Sequence, residues 1–170
     1  MDKKMEKALG KQLNAELYSS YLYLAMAGYF HSVNLNGFAS WMRVQAMEEL
    51  THARRFFAFL VDRQVRVVLS DIQAPPSDWK SPKAVFEEAY AHEKKVTAMI
   101  NELVSLSWEL KDFATQAFLQ FFVNEQVEEE SSIDAVLQSL NLVENQASGW
   151  FLIDKDLATR SFLAPVGLTI

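Results

Sequence analysis

Three of the chain's four prolines, Pro75, Pro76 and Pro82, fall in one short segment, and the fourth, Pro165, lies near the C-terminus. Proline breaks a helix because its ring removes an amide donor and clashes with the preceding turn. With only five glycines among 170 residues, the stretches between the breaks run on uninterrupted in Ala, Leu, Glu, Met and Gln, which favour helix. This predicts helices over about 4–33, 37–64, 82–109 and 113–141, then a shorter one over about 146–159 and a mostly apolar tail over 161–170. The connections Val33 to Gly37 and Glu109 to Asp112 are short, so each flanking pair is an antiparallel hairpin. The connection from Val65 to Ser81 is longer than two adjacent helices need. It begins with Val65, Val67, Val68, Leu69 and Ile72, so it is expected to pack against the helices while crossing them. The expected fold is therefore all-α: one domain over 1–170, a four-helix bundle with one long crossover and a short fifth helix.

Stepping four and three along each predicted helix isolates its inward stripe. The stripes read Leu9, Leu13, Glu16, Ser20, Tyr23, Ala27, Phe30; Phe38, Met42, Gln45, Glu49, His52, Phe56, Phe59; Phe86, Tyr90, Glu93, Thr97, Ile100, Val104; and Leu119, Phe122, Gln126, Glu129, Ile133, Val136, Leu140. Each is mostly apolar towards its ends and polar near its middle. The polar residues keep step, since Glu16 and Glu49 are 33 residues apart and so are Glu93 and Gln126 (49 − 16 and 126 − 93). Each second member opens a pair at i, i+3: Glu49 with His52, and Gln126 with Glu129. Each set lies about 16 residues from its hairpin turn, roughly 25 Å along a helix axis.

Four carboxylates facing one core, Glu16, Glu49, Glu93 and Glu129, cannot remain ionised without compensation, because unpaired buried charge is very costly. No Lys or Arg lies on the central part of any stripe. Protonation is one escape. The histidine one turn after Glu49 favours the other: two divalent cations cancel four negative charges, with His52 and Gln126 as neutral ligands. The chain has no cysteine, which excludes iron–sulfur clusters and thiolate zinc. Oxygen-rich ligands with one imidazole suit iron or manganese, and also zinc.

Several segments sharpen this: Asn14-Ala-Glu16-Leu-Tyr-Ser-Ser-Tyr-Leu-Tyr23, Glu48-Glu49-Leu-Thr-His52, Pro75-Pro-Ser-Asp-Trp79, His92-Glu93 and Asn124-Glu-Gln126-Val-Glu-Glu-Glu130. Together they resemble the non-haem ferritins of bacteria and archaea over nearly the whole chain. The resemblance implies a 24-subunit hollow homo-oligomer that oxidises Fe(II) with dioxygen or hydrogen peroxide and stores ferric mineral inside. It implies that Glu16, Glu49 and His52 bind the first iron, with Glu49 bridging. Glu49, Glu93 and, peripherally, Gln126 then serve the second. Tyr23, two turns beyond Glu16, is implied as an electron donor or a hydrogen-bond partner of an iron ligand; filling the core would occupy it as well. Glu48, Glu125 and Glu128 resemble, with Glu129, a third iron site facing the cavity. Glu130 points another way on its helix.

The departures from related families matter too. Bacterioferritins carry a second Glu-x-x-His where this chain has Gln126-x-x-Glu129, and a haem-ligating methionine where it has Leu50. Iron without haem is the expectation. The neutral Gln126 implies a loosely held second iron, and so a transit site. Rival readings are a di-iron oxidase or peroxidase without a cage, and a metal-free helical interaction protein. The first needs a substrate pocket beside the metals, where bulky Tyr23, Tyr90, Phe56 and Phe122 stand. The second leaves four core carboxylates unexplained.

A net charge of −6 argues against nucleic acid and anionic membrane surfaces as partners. No apolar signal core precedes Gln12, and Leu17 to Phe30 is too short and interrupted to span a bilayer, so the expected compartment is the cytoplasm. His31 is expected to cap the first helix and His92 to lie at the surface. Trp41, Trp79, Trp108 and Trp150 are expected in packing or subunit contacts. Trp150, Phe151, Leu152, Ile153 and Leu157 give the fifth helix an apolar face suited to burial between subunits.

Overall fold

The computed structural model describes residues 1–143 and 146–163; the expectation for the end of the tail, 164–170, lies outside the described residues. The helices are α1 (Lys3–Ser32), α2 (Asn36–Asp62), α3 (Pro82–Glu109), α4 (Phe113–Leu142) and α5 (Ala147–Leu157). The starts have chemical causes. Asp2, Ser81 and Asp112 accept hydrogen bonds from Lys4 N, Ala84 N and Thr115 N, and Pro82 opens α3, which satisfies first-turn donors.

The ends of α1, α2 and α3 share one device. Asn34, Gln64 and Lys111 adopt left-handed backbone with φ of 60°, 59° and 53°. The next amide then reaches back: Leu35 N to Phe30 O at 3.0 Å, Val65 N to Leu60 O at 2.9 Å, and Asp112 N to Ser107 O at 2.9 Å. This closure satisfies orphan carbonyls at a helix end.

The long connector runs the length of the bundle. Val65 and Val67 pack near Leu60 and Leu103, whereas Trp79 packs at the other end with Phe38 and Phe86. Asn14 clamps it on the way, donating to Asp71 O (3.2 Å) and accepting from Ser70 N (3.3 Å). Val68, Leu69 and Ile72 stay exposed, so the apolar start of the connector is only partly buried. Because the connector returns the chain, α2 and α3 run parallel and the two hairpin turns sit at opposite ends. Equal distances from the turns still give one layer, because each polar stripe residue lies near the middle of its helix.

The core is two apolar clusters with that layer between them. Phe30, Phe38, Phe86, Met26 and Leu140 pack at one end; Leu9, Phe56, Ile100, Leu119 and Phe122 pack at the other. Each fully buried side chain of this size contributes about 1.5–3 kcal/mol, which offsets the cost of an interior polar layer. Of the predicted stripes, Ser20, Phe59, Tyr90, Thr97 and Val104 are half-buried, and Ser19 takes the inner place beside Ser20.

Helix α5 folds back on α2. Asp154 Oδ1 accepts from Gly37 N (2.7 Å) and Phe38 N (3.1 Å), Trp150 stacks on Phe38 at 6.3 Å, and Leu157 is buried. The apolar face predicted for this helix is thus divided. Trp150, Ile153 and Leu157 serve their own subunit, while Phe151 and Leu152 remain exposed. Among the described residues no helix is long and apolar enough to cross a membrane.

Candidate metal centre

Glu16 from α1 meets Glu49 and His52 from α2 at the middle of the bundle. Their ligand atoms lie within 4.8 Å of one another, and Glu49 Oε2 is 3.5 Å from His52 Nδ1. The i, i+3 spacing puts the last two on one helix face. Gln12 and Gln45, each one turn earlier, hold the carboxylates: Gln12 Nε2 donates to Glu16 Oε1 at 2.8 Å and Gln45 Nε2 to Glu49 Oε1 at 3.3 Å. Glu16 Oε2 is buried without a hydrogen-bond partner. Buried acceptors are almost always satisfied, and a cation held by Glu16, Glu49 and His52 would satisfy this one.

Glu93 stands beside this trio, held by neighbours. Tyr23 Oη donates a short hydrogen bond to its Oε1, and Gln126 Nε2 donates to its Oε2 at 3.2 Å. Gln126 Nε2 also reaches Thr97 Oγ1 at 3.1 Å, while the Thr97 hydroxyl donates to Glu130 Oε1 at 2.6 Å. Glu130 therefore fixes the hydroxyl, the hydroxyl fixes the amide, and the carbonyl oxygen is the one side-chain atom of Gln126 that could ligate a cation.

His52 also faces outward. With Glu125 and Glu129 it forms a second group of ligand atoms within 4.8 Å, Glu125 Oε2 lying 3.5 Å from His52 Nε2. Of the four residues of the predicted third site, Glu125 and Glu129 converge here. Glu48 instead bonds Arg160 Nη2 at 2.5 Å, and Glu128 is exposed, outside both groups.

The expected surface position of His92 is corrected. It is half-buried, its Nε2 lies 2.8 Å from Ser19 Oγ, and its ring packs against Tyr18 and Tyr23. Burial, with Lys95 nearby, lowers its pKa to about 4, so it is a neutral bracket behind Tyr23. His31 sits in the last turn of α1, its Nδ1 2.9 Å from Asn36 Oδ1.

Burial raises the pKa of Glu16, Glu49 and Glu93, and that of Glu129 to about 8; the Glu93 charge adds to the shift at Glu49 and Glu129. Burial lowers His52, but Glu125 and Glu49 outweigh it and hold the imidazole well above its usual value. Burial, then the Glu93 charge, keeps the Tyr23 phenol protonated. Raised folded-state pKa values give stability that is full below the ordinary carboxylate pKa and is lost as pH rises through the folded values, to about 8 for Glu129. The metal-free protein is therefore expected to weaken toward pH 8. Cation binding must displace these protons. Adding Zn(II) to metal-free protein at pH 6.5 is expected to release at least about one proton per chain, read with a pH indicator in weak buffer. No release would mean the carboxylates were already ionised.

An all-helical bundle with a buried carboxylate and histidine layer at its centre defines the class of bundle proteins that bind metals between facing helices. Residues 6–143 match the sequence profile of the ferritin-like domain, and the chain belongs to the ferritin family. It is 43% identical over 155 residues to a bacterial non-heme ferritin-like protein of Haemophilus influenzae, covering 91% of this chain and 94% of that protein. It is 36% identical to a bacterial non-heme ferritin of Bacteroides fragilis, covering 94% and 99%. Among solved structures, the open pore ferritin of the archaeon Archaeoglobus fulgidus superposes with a TM-score of 0.94 at 48% identity, over 95% of this chain and 99% of that one. A closed form engineered from that ferritin gives 0.94 at 49% identity, over 96% and 99%.

Proposed function

We propose that the chain is the subunit of an iron-storage shell and oxidises Fe(II) at a dinuclear centre within each subunit. The carrying observation is the orphaned Glu16 Oε2 among converging Glu16, Glu49 and His52 atoms, in a chain whose relatives are non-heme ferritins. Fe(II) is the substrate. Glu16, Glu49 and His52 take the first ion; Glu49, Glu93 and the Gln126 carbonyl take the second. Each ion gives up one electron. The two electrons reduce dioxygen with two protons to hydrogen peroxide, or peroxide with two protons to two waters. Hard carboxylate oxygens favour the ferric product, and the chain supplies positioning and electrostatics. Tyr23, protonated and bonded to Glu93, steadies that ligand, and the family resemblance adds electron donation to its role. Ferric ions then pass Glu129 and Glu125 toward a cavity enclosed by about 24 copies, a number that rests on the family resemblance. Haem has no place in this reading, and the cytoplasm remains the proposed compartment.

The rival oxidase needs room for an organic substrate. The cavity that touches His52 holds about 250 Å³ and sets charged Glu48, Glu125 and Arg55 beside apolar Phe121, Phe162 and Leu163, a small space whose carboxylates can receive cations. Aerobic Fe(II) titration with particle mass read in parallel tests the choice. Hundreds of irons retained in a heavy soluble particle support storage, whereas a small oligomer saturating at two irons per chain sinks it.

The neutral Gln126 makes the second ion the weaker one. Gln126→Glu is expected to tighten second-ion binding about tenfold or more and to slow mineral growth, measured by ferric absorbance after repeated Fe(II) additions. Unchanged retention would remove Gln126 from the transit argument.

A further inference from the structure

Arg160 enters the bundle from beyond the end of α5 and meets three side chains of α2. Its guanidinium stacks on the Trp41 ring at 4.3 Å, and its Nη1 donates to Gln45 Oε1 at 2.8 Å and its Nη2 to Glu48 Oε2 at 2.5 Å. Residues 41, 45 and 48 follow one another along a single helix face. Arginine has no acceptor, so the Gln45 carbonyl must face it and the Gln45 amide must face the other way. That amide donates to Glu129 Oε2 at 2.5 Å and to Glu49 Oε1 at 3.3 Å. An arginine from outside the four helices is thus one side chain away from both the proposed bridging carboxylate and the outward metal group. The last two described residues of the tail, Phe162 and Leu163, line the same 250 Å³ cavity as Glu48, His52 and Glu125.

We propose that Arg160 is a positioning residue for iron leaving the dinuclear centre: it occupies Glu48 as a built-in counter-cation, keeps that carboxylate out of the His52–Glu125–Glu129 group, and is displaced when a metal ion fills that group. The inference rests on the iron-transit reading above. Its physical basis is competition. A guanidinium and a metal cation compete for the single negative charge of Glu48, and each raises the electrostatic cost of the other in a partly buried wall. A weak outward site passes ions on; a strong one would retain them.

Calorimetric titration of the metal-free assembled protein with Zn(II), a redox-inert probe, tests this. Arg160→Gln is expected to tighten the third binding step about tenfold and to change the first two steps, which it reaches only through Gln45, by a smaller factor. An unchanged or weaker third step overturns the inference, since a merely structural arginine would not tighten a site when removed. If the variant fails to assemble, Zn(II)-soaked crystals of the unaltered protein decide. Arg160 swung off Glu48 where the outward group holds zinc supports the inference, and Arg160 still seated on Glu48 beside bound zinc overturns it. Two tight ions with an unresponsive third step leave the ferroxidase reading standing alone. Absence of the two tight ions in the unaltered protein fails that reading, and the inference with it.

Discussion

Glu49→Gln is expected to cut the initial rate of Fe(II) oxidation at least ~100-fold and, at the same time, to raise the melting temperature of the metal-free protein. Glu49 is the residue toward which the layer converges. It sits within reach of Glu16 and His52, takes a hydrogen bond from Gln45, and feels the charges of Glu93 and Glu16. Glutamine preserves its shape and its Gln45 contact while removing the anionic oxygens that two iron ions would share. The loss is in chemistry. The gain is in folding, because one of four crowded carboxylates no longer has to be protonated or compensated. Removing a carboxyl whose folded pKa is raised stabilises by about 1.4 kcal/mol for each pH unit between its ordinary and folded values, or roughly 2–6 °C for a chain of this size. The sign with pH follows from the raised pKa of Glu49. Below the ordinary carboxylate pKa the native residue is already protonated and the variant gains nothing; the gain grows as pH rises. Stopped-flow absorbance of ferric product and calorimetry after chelation measure the two halves. A slower rate accompanied by a lower melting temperature would make Glu49 a structural residue and weaken the metal assignment.

The stripes announced the bundle because helical period and burial are local properties of the chain. Every stripe residue of α4 and all but Phe59 of α2 are buried, and the helix ends follow proline, Asp and Ser positions that act within one turn. The same 33-residue step reaches further than the ligands. Gln12 and Gln45 are also 33 apart, each one turn before a glutamate of the candidate site, so the residues that orient Glu16 and Glu49 were marked by the repeat. Thr97 and Glu130 show the same separation and share a hydrogen bond, although Glu130 lies off the stripe. What could not be read was contact between distant segments. The Tyr23 bond to Glu93 depends on the relative rotation of α1 and α3. His92 turns inward to Ser19 through a side-chain rotamer that no periodicity encodes. Arg160 reaches Glu48 across 112 positions by way of a docked fifth helix, so the absence of Lys and Arg from the stripes did not mean that no cation approaches the layer. Gln64 and Lys111 close their helices in a conformation that glycine or asparagine would have advertised.

Gly37→Ala is expected to release α5 from the bundle and to speed trypsin cleavage after Lys155 and Arg160 at least ~100-fold, while α1 to α4 stay folded. A Cβ at position 37 would lie 1.6 Å from Asp154 O and 2.5 Å from Asp154 C. Those are backbone atoms of another helix, so no rotamer change relieves the clash, and α5 as a whole must move. Moving it costs α2 its cap. Leu35 offers no side-chain acceptor at the start of α2, and Asp154 Oδ1 satisfies the Gly37 and Phe38 amides instead. Loss of a cap costs about 1 kcal/mol, and exposing the buried Leu157 adds about 1.5–3 kcal/mol. A total near 3 kcal/mol corresponds to about a hundredfold rise in the open population, since each 1.4 kcal/mol is tenfold. Asp154→Asn should do far less, because the amide oxygen can still accept while the favourable charge at the helix start is lost. Cleavage time courses on the metal-free assembly, with helicity followed alongside, separate α5 release from global unfolding. Unchanged cleavage would mean that α5 shifts without undocking and that Asp154 is not its anchor. Release of α5 also removes Arg160 from Glu48, so Gly37→Ala should tighten the third Zn(II) step in the same direction as Arg160→Gln, by a change more than 100 positions away in sequence. A glycine at the start of α2 is thus tied, through one carboxylate and one short helix, to the outward wall of the metal centre.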